Sequence, residues 1–182
     1  MSSGEIVPVV IETSFGTIGI DIDAGAAPIT AANFLSHVDA QLYDGGQFHR
    51  TVTVNNQKSL TAPTLNADIV IEVIQGGIDP EKLPADLKAI PLERTRDTGL
   101  LHTEGAISMA RGGADTAVEG FFICIGDQPH LDFGGQRNPD GQGFAAFGYV
   151  TSGMDVVRKI QSQPAEAQKL NPLIVIKRIA RA

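Results

Sequence analysis

The chain opens on an alternating pattern. Val9-Val10-Ile11-Glu12-Thr13 runs into Ser14-Phe15-Gly16, and Ile18, Ile20 and Ile22 then alternate with Thr17, Gly19 and Asp21. A period of two gathers the isoleucines on one buried face, so residues 9–22 predict a β-hairpin. Pro8 heads the first arm, where a missing N–H is tolerated. The period changes after Gly25-Ala26-Ala27-Pro28. Ala31, Phe34, Leu35 and Val38 follow a spacing of three and four, which predicts an amphipathic helix over 30–41 with Thr30 as its N-cap. Tyr43-Asp44-Gly45-Gly46 supplies the turn that ends it.

Downstream, short apolar runs alternate with turn-rich stretches. Residues 48–52 and 69–74 predict strands, the second ending at Gln75-Gly76-Gly77, and the polar stretch 53–68 between them reads as a loop. Residues 79–104 are rich in Pro and charge and show no sustained period. Residues 106–110 and 121–125 predict two core strands separated by the Gly/Ala/Asp stretch 111–120. A Gly/Asn/Pro/Asp loop over 133–143 precedes a strand at 147–150. Ser152 is placed to cap a second helix, with Met154, Val157 and Ile160 on one face, and 173–179 predicts the strand that closes the sheet. With no repeat and no linker, residues 1–182 read as one domain with its core over about 9–179. Many short strands and two helices predict a mainly β fold, a closed barrel with capped ends.

Composition narrows the functional classes. At 182 residues, 42% hydrophobic and 19% charged, the chain suits a single globular core. Its net charge of -7, without a Lys/Arg cluster, excludes a phosphate-backbone binder, so no nucleic acid partner is expected. No run of about 18 apolar residues occurs, so no membrane span is expected. Cys124 is the only cysteine; it lies in the apolar run 121–125 and reads as a buried core thiol. Met-Ser-Ser-Gly-Glu at the N-terminus lacks an apolar signal region, so the sequence reads as cytoplasmic, or periplasmic if a signal peptide has been removed. His37, His49, His102 and His130 are scattered without metal-ligand spacing, and no metal or other cofactor is expected. Residues 111–120 lack the Lys-Ser/Thr of a phosphate loop, and Asn138, Asp140 and Gln142 offer too few acids for calcium. Asp97 and Glu104 flank His102, but no nucleophile elbow accompanies them.

One set of short pieces carries more. Asn33-Phe34, Phe48-His49-Arg50, Ile74-Gln75-Gly76-Gly77, Ser108-Met109-Ala110, Phe121-Phe122-Ile123-Cys124, Leu131-Asp132 and Phe147-Gly148 follow one another in an order that resembles the cyclophilins. None is specific alone; together they span the chain from about Val9 to Ile179. The resemblance implies a closed eight-stranded antiparallel β-barrel capped by two α-helices. It implies a peptidyl-prolyl cis-trans isomerase that assists protein folding, acting on proline-containing polypeptides as a monomer. By the same resemblance Arg50 is the catalytic arginine, Gln75 binds the substrate backbone and Phe122 floors the proline pocket with Leu131. Phe48, Val73, Ala110, Arg111, His130 and Phe144 complete the expected substrate-binding set.

The chain also departs from the family pattern. Val73 and Phe144 replace a Met and a His, Gly120 replaces a Gln that contacts substrate, and Glu72 stands where the family has Phe. The stretch 51–74 is longer than in compact members, and its extra loop reads either as an extension of the groove or as a surface insertion. Residues 133–143 also look inserted or rearranged. These losses keep open a second reading, a peptide-binding or chaperone module with weak or no isomerase activity. Where many members carry Trp before Leu-Asp, this chain has His130, which fills less of the rim. Weaker binding of the cyclic peptide cyclosporin than in Trp-bearing members is therefore expected; a titration giving nanomolar-class affinity would overturn this.

Overall fold

The computed structural model describes residues 4–57 and 69–182, so most of the loop read at 53–68 lies outside the described residues. Strands β1 (Ile6–Thr13) and β2 (Gly16–Asp23) pair antiparallel from Ile6↔Asp23 to Thr13↔Gly16. Val9, Ile11, Ile18, Ile20 and Ile22 are buried, as their alternation requires. Thr13 shapes the turn: its hydroxyl donates to the Gly16 carbonyl at 2.7 Å and accepts from the Phe15 amide at 3.1 Å.

The remaining strands are β3 (Gln47–Val52), β4 (Val73–Gly77), β5 (Ala106–Met109), β6 (Phe121–Cys124), β7 (Ala146–Ser152), β8 (Ala165–Glu166) and β9 (Lys169–Arg181). Their order is β1-β2-β7-β5-β6-β4-β3-β9, and β9 pairs back onto β1. The result is a closed antiparallel barrel of eight strands, with the two-residue β8 appended to β9. Closure satisfies both edges of every barrel strand, which removes the edge problem of an open sheet.

Among the described residues, three helices flank the barrel rather than two: α1 (Pro28–Asp39), the single turn α2 (Thr95–Thr98) and α3 (Met154–Gln161). α1 packs against β2 and β9 and inserts Phe34 among Tyr43, Phe121 and Phe147, with ring centroids 5.1–5.9 Å apart. α3 buries Val156, Val157 and Ile160 and packs against β2, β3 and β4. No helix among the described residues is long and apolar enough to cross a membrane.

Several boundaries differ from the sequence expectation for local reasons. The first helix starts at Pro28, so Thr30 sits inside its first turn and is not the N-cap. Proline is favoured there because its missing N–H is not needed. Ser152 is the last residue of β7, and the cap of α3 is Gly153 at φ +90, a left-handed conformation that glycine adopts without strain. The strand expected at 69–74 begins only at Val73. Upstream, the Ile71 backbone is already committed: its amide donates to Gln57 Oε1 at 3.0 Å and its carbonyl accepts from Gln57 Nε2 at 2.7 Å. The last strand is longer than 173–179 because its ends pair with β8 and β1.

The N-terminus of α1 has no capping side chain of its own. Glu93, from the irregular segment before α2, substitutes: one carboxylate oxygen accepts from both the Thr30 amide and the Thr30 hydroxyl, each at 2.6 Å. A carboxylate there also favours the positive end of the helix. Glu93→Ala should therefore lower stability by about 1–2 kcal/mol in urea unfolding, the range of a lost cap; an unchanged midpoint would show that this long-range cap contributes nothing.

Candidate active site

Alternation along two neighbouring strands builds two separate apolar layers. On β4 and β6, Ile74, Phe121 and Ile123 point into the barrel. Val73, Phe122 and Cys124 belong to a second cluster with Val52, Ile71, Ala106, Leu131 and Phe144. Phe122 is only 5% exposed, yet it is not part of the barrel interior. Its ring meets Phe144 edge-on at 5.6 Å. Gly76 belongs to the same construction: a Cβ there would stand 2.9 Å from both the Gln47 carbonyl and the Phe48 ring.

A cavity of about 280 Å³ opens over this second layer. Val73, Phe122, Leu131, Phe144, Ile71 and Ala110 line it, together with Arg50, Gln75, Arg111, Arg137 and Asn138. Apolar walls with a few convergent polar groups are the usual make-up of a ligand site. Arg50 projects from β3, half-buried, and is held at two points. Its Nη1 donates to Gln75 Oε1 and its Nε to Gln168 Oε1, both at 2.9 Å. Nη2 has no protein partner among the described residues. Burial, and then the charge of Arg137, lower the Arg50 guanidinium to about 10, so it still carries its charge at neutral pH. Arg111 is neutralised locally. It pairs with Asp140 at 3.0 Å, donates to the Gly143 carbonyl and lies 4.8 Å from the centre of the Phe144 ring. That arginine holds the Asp140 carboxyl below the usual carboxylate range.

Behind Phe122 lies a buried polar chain. His102 stacks on the Phe122 ring, centroids 6.0 Å apart and planes 15° apart. Its Nδ1 is 2.7 Å from Asp132 Oδ1 and its Nε2 is 2.8 Å from Ser108 Oγ. The order resembles an acid–imidazole–hydroxyl triad, but Ser108 is wholly buried, so no substrate reaches its oxygen. The chain instead satisfies every polar group under the pocket floor and fixes the ring above it.

The residues singled out in the sequence thus divide. Arg50, Gln75, Phe122, Val73, Ala110, Arg111, Leu131 and Phe144 surround one cavity. Phe48 does not: its ring is fully buried inside the barrel against Phe121, because β3 alternation turns it inward. His130 does not either. The 3-10 turn Pro129–Leu131 directs Leu131 into the pocket and leaves His130 exposed beside a neighbouring hollow with Leu101 and Phe133. Cys124 is buried as expected, and burial followed by the Asp132 charge pushes its thiol up. Sequence reasoning missed Ile71, Arg137, Asn138, Gln168 and the partners of His102. Ser108 and Asp132 stand inside motifs already noted, so that signal was available; Arg137 lies in a turn-rich loop and Gln168 in a stretch without any motif.

Residues 8–181 match the family described as Cyclophilin type peptidyl-prolyl cis-trans isomerase/CLD. The chain is 33% identical over 155 residues to a peptidyl-prolyl cis-trans isomerase of Acinetobacter baylyi, covering 85% of this chain and 71% of that protein. It is 32% identical over 152 residues to the peptidyl-prolyl cis-trans isomerase cyp18 of Streptomyces antibioticus, covering 83% and 81% respectively. A solved cyclophilin type peptidyl-prolyl cis-trans isomerase of Cryptosporidium parvum superposes with a TM-score of 0.74 over 98% of both chains, at 21% identity. That structural likeness establishes the fold.

Two imidazoles near the barrel add a pH dependence. Burial pushes His37 below its usual value, against the Val118 carbonyl, which favours the proton. Burial, and then the Arg50 charge, push His49 down as well. The unfolded chain therefore takes up protons near pH 6.5 that the folded chain refuses. Their contribution to stability is complete above about pH 6.5 and is lost as the pH falls through the lowered folded values. Urea midpoints should fall between pH 7.5 and 5.5, and less so in a His37→Asn, His49→Asn double variant; equal slopes for both proteins would refute the assignment.

Proposed function

The chain belongs to the cyclophilin-type peptidyl-prolyl cis-trans isomerase family, and from that membership we propose that it turns the Xaa-Pro bond in the cavity over Phe122, with Arg50 as the group that lowers the barrier. The protein is a peptidyl-prolyl cis-trans isomerase acting on proline-containing peptides; the roles of its residues are what this reading adds.

Rotation about an Xaa-Pro bond is slow because amide resonance gives the C–N bond double-bond character, with a barrier of about 20 kcal/mol. No covalent bond is made or broken, so catalysis must favour the twisted amide over both planar forms. In the twisted state the proline nitrogen regains a lone pair. Arg50 Nη2, without a protein partner among the described residues, is the donor this reading aims at that nitrogen. Holding Nε and Nη1 on two glutamines removes the rotamer entropy that a free arginine loses on binding. The proline ring rests on Phe122 between Leu131 and Phe144 while the preceding carbonyl swings. Gln75 Nε2 is the donor suited to the substrate backbone. A roughly 10⁵-fold acceleration asks about 7 kcal/mol of this arrangement, within reach of a charged hydrogen bond in a partly dry site together with orientation.

The observation that carries the reading is the double anchoring of Arg50 beside an aromatic-floored cavity. It also makes the non-catalytic module the weaker alternative, since peptide holding needs no pinned guanidinium. Every group invoked lies in this chain, so the reading requires no second copy. In a peptide assay, Arg50→Ala should lose about 10²-fold in kcat/KM while keeping its fold by circular dichroism, as removal of one preorganised donor does; Arg50→Lys should recover only part, lacking the fork. Equal rates for wild type and a folded Arg50→Ala protein would remove Arg50 from the mechanism.

A further inference from the structure

The cavity holds more positive charge than amide rotation requires. Arg137 comes from the irregular stretch before β7, lines the same cavity as Arg50, and is only 2% exposed. Its Nη1 donates to Gln57 Oε1 at 3.0 Å and to the Ile69 carbonyl at 2.7 Å. Its Nη2 is buried and has no partner. Neither Arg50 nor Arg137 has a carboxylate within ion-pair distance among the described residues, whereas Arg111 on the same wall is matched by Asp140. Two guanidiniums with no carboxylate partner among the described residues, at one small cavity, make a costly arrangement, because each is desolvated and they repel. It is also local: the protein as a whole carries a net charge of -7. A buried charge with no counterion among the described residues is one that an incoming anion relieves.

We infer that the cavity receives an oxyanion carried next to the substrate proline, an Asp or Glu carboxylate or a phosphoryl group on Ser or Thr, with Arg137 as the charge that selects it. The inference rests on the cavity being the isomerase site. An oxyanion there answers the charge of Arg137 and Arg50 together, and a cationic side chain in the same place meets the repulsion the two arginines already share. Selection therefore works in both directions, attraction of acids and rejection of Lys or Arg. Arg137 contributes to choice of peptide, and the barrier to rotation stays with Arg50.

The test compares kcat/KM on peptides that differ only at the residue before proline: Glu, Gln, Lys, Ala, Ser and phosphoserine. Wild type should prefer Glu to Gln about tenfold, as one charged hydrogen bond allows, with Lys below Gln. The phosphoserine-to-serine ratio, read against the Glu-to-Gln ratio, tells which oxyanion is better received. Both ratios should shrink as salt is added and fall several-fold in Arg137→Gln, where Arg50 alone remains, while Arg137→Lys, which keeps the charge, retains more of them. Because each is a ratio within one protein, a general loss of rate does not affect it. If Arg137→Gln does not fold, the wild-type ratios and their salt dependence decide. Ratios of one in wild type, or ratios undiminished in a folded Arg137→Gln protein, overturn the inference. Turnover of the Ala-Pro peptide with no acid preference sinks this inference alone; no turnover of any peptide sinks the isomerase site beneath it.

Discussion

Strand β6 is buried on both of its faces, and the rest of the architecture follows from that constraint. Four consecutive apolar residues, Phe121 to Cys124, leave no side to water. Phe121 and Ile123 are covered by the barrel and by Phe34 of α1. Phe122 and Cys124 need a second cover, which Leu131, Phe144, Val73 and Ile71 provide from loops and from β4. The cavity is what remains where that second cover is incomplete. An apolar floor so supported is held from beneath by packing and from behind by the buried chain of Asp132, His102 and Ser108.

The polar side of the cavity is organised differently. Its guanidiniums are positioned by amide side chains: Gln75 and Gln168 for Arg50, Gln57 for Arg137. Neutral amides fix the geometry without cancelling the charge, which a carboxylate partner would do. Arg111 shows the contrast, since Asp140 balances it and the pair serves to hold the Phe144 region in place. Among the described residues, charge is thus left unmatched at Arg50 and Arg137 and matched at Arg111.

Much of this was legible in the sequence wherever a residue's role is set by its neighbours along the chain. The hairpin of β1 and β2 follows from the alternating isoleucines, and the face of α1 from its spacing of three and four. The cluster around Phe122 was legible through the order of short motifs, not through any one of them. Failures came where a distant residue decides the outcome. Thr30 looks like a cap until Glu93, 63 residues away, takes that task. Residues 69–72 look like strand until the Gln57 side chain occupies the Ile71 backbone. Phe48 and His130 sit in or beside recognised motifs, but a one-residue change of facing sends one into the barrel and the other to solvent. Arg137 lies in a Gly/Asn/Pro/Asp loop and Gln168 in the run Ala165-Glu166-Ala167-Gln168-Lys169, where no motif or strand alternation marks it.

The clasp between Gln57 and Ile71 has a consequence for how such a protein diversifies. Two hydrogen bonds from one side chain fasten the chain on either side of residues 58–68, and the same amide steadies Arg137. Ile71 and Arg137 on the cavity wall are thereby held by contacts of their own. Lengthening the chain between two such points costs only the slow logarithmic growth of closure entropy. A protein engineer thus has two fixed points, Gln57 and Ile71, between which a new segment can be joined beside Arg137.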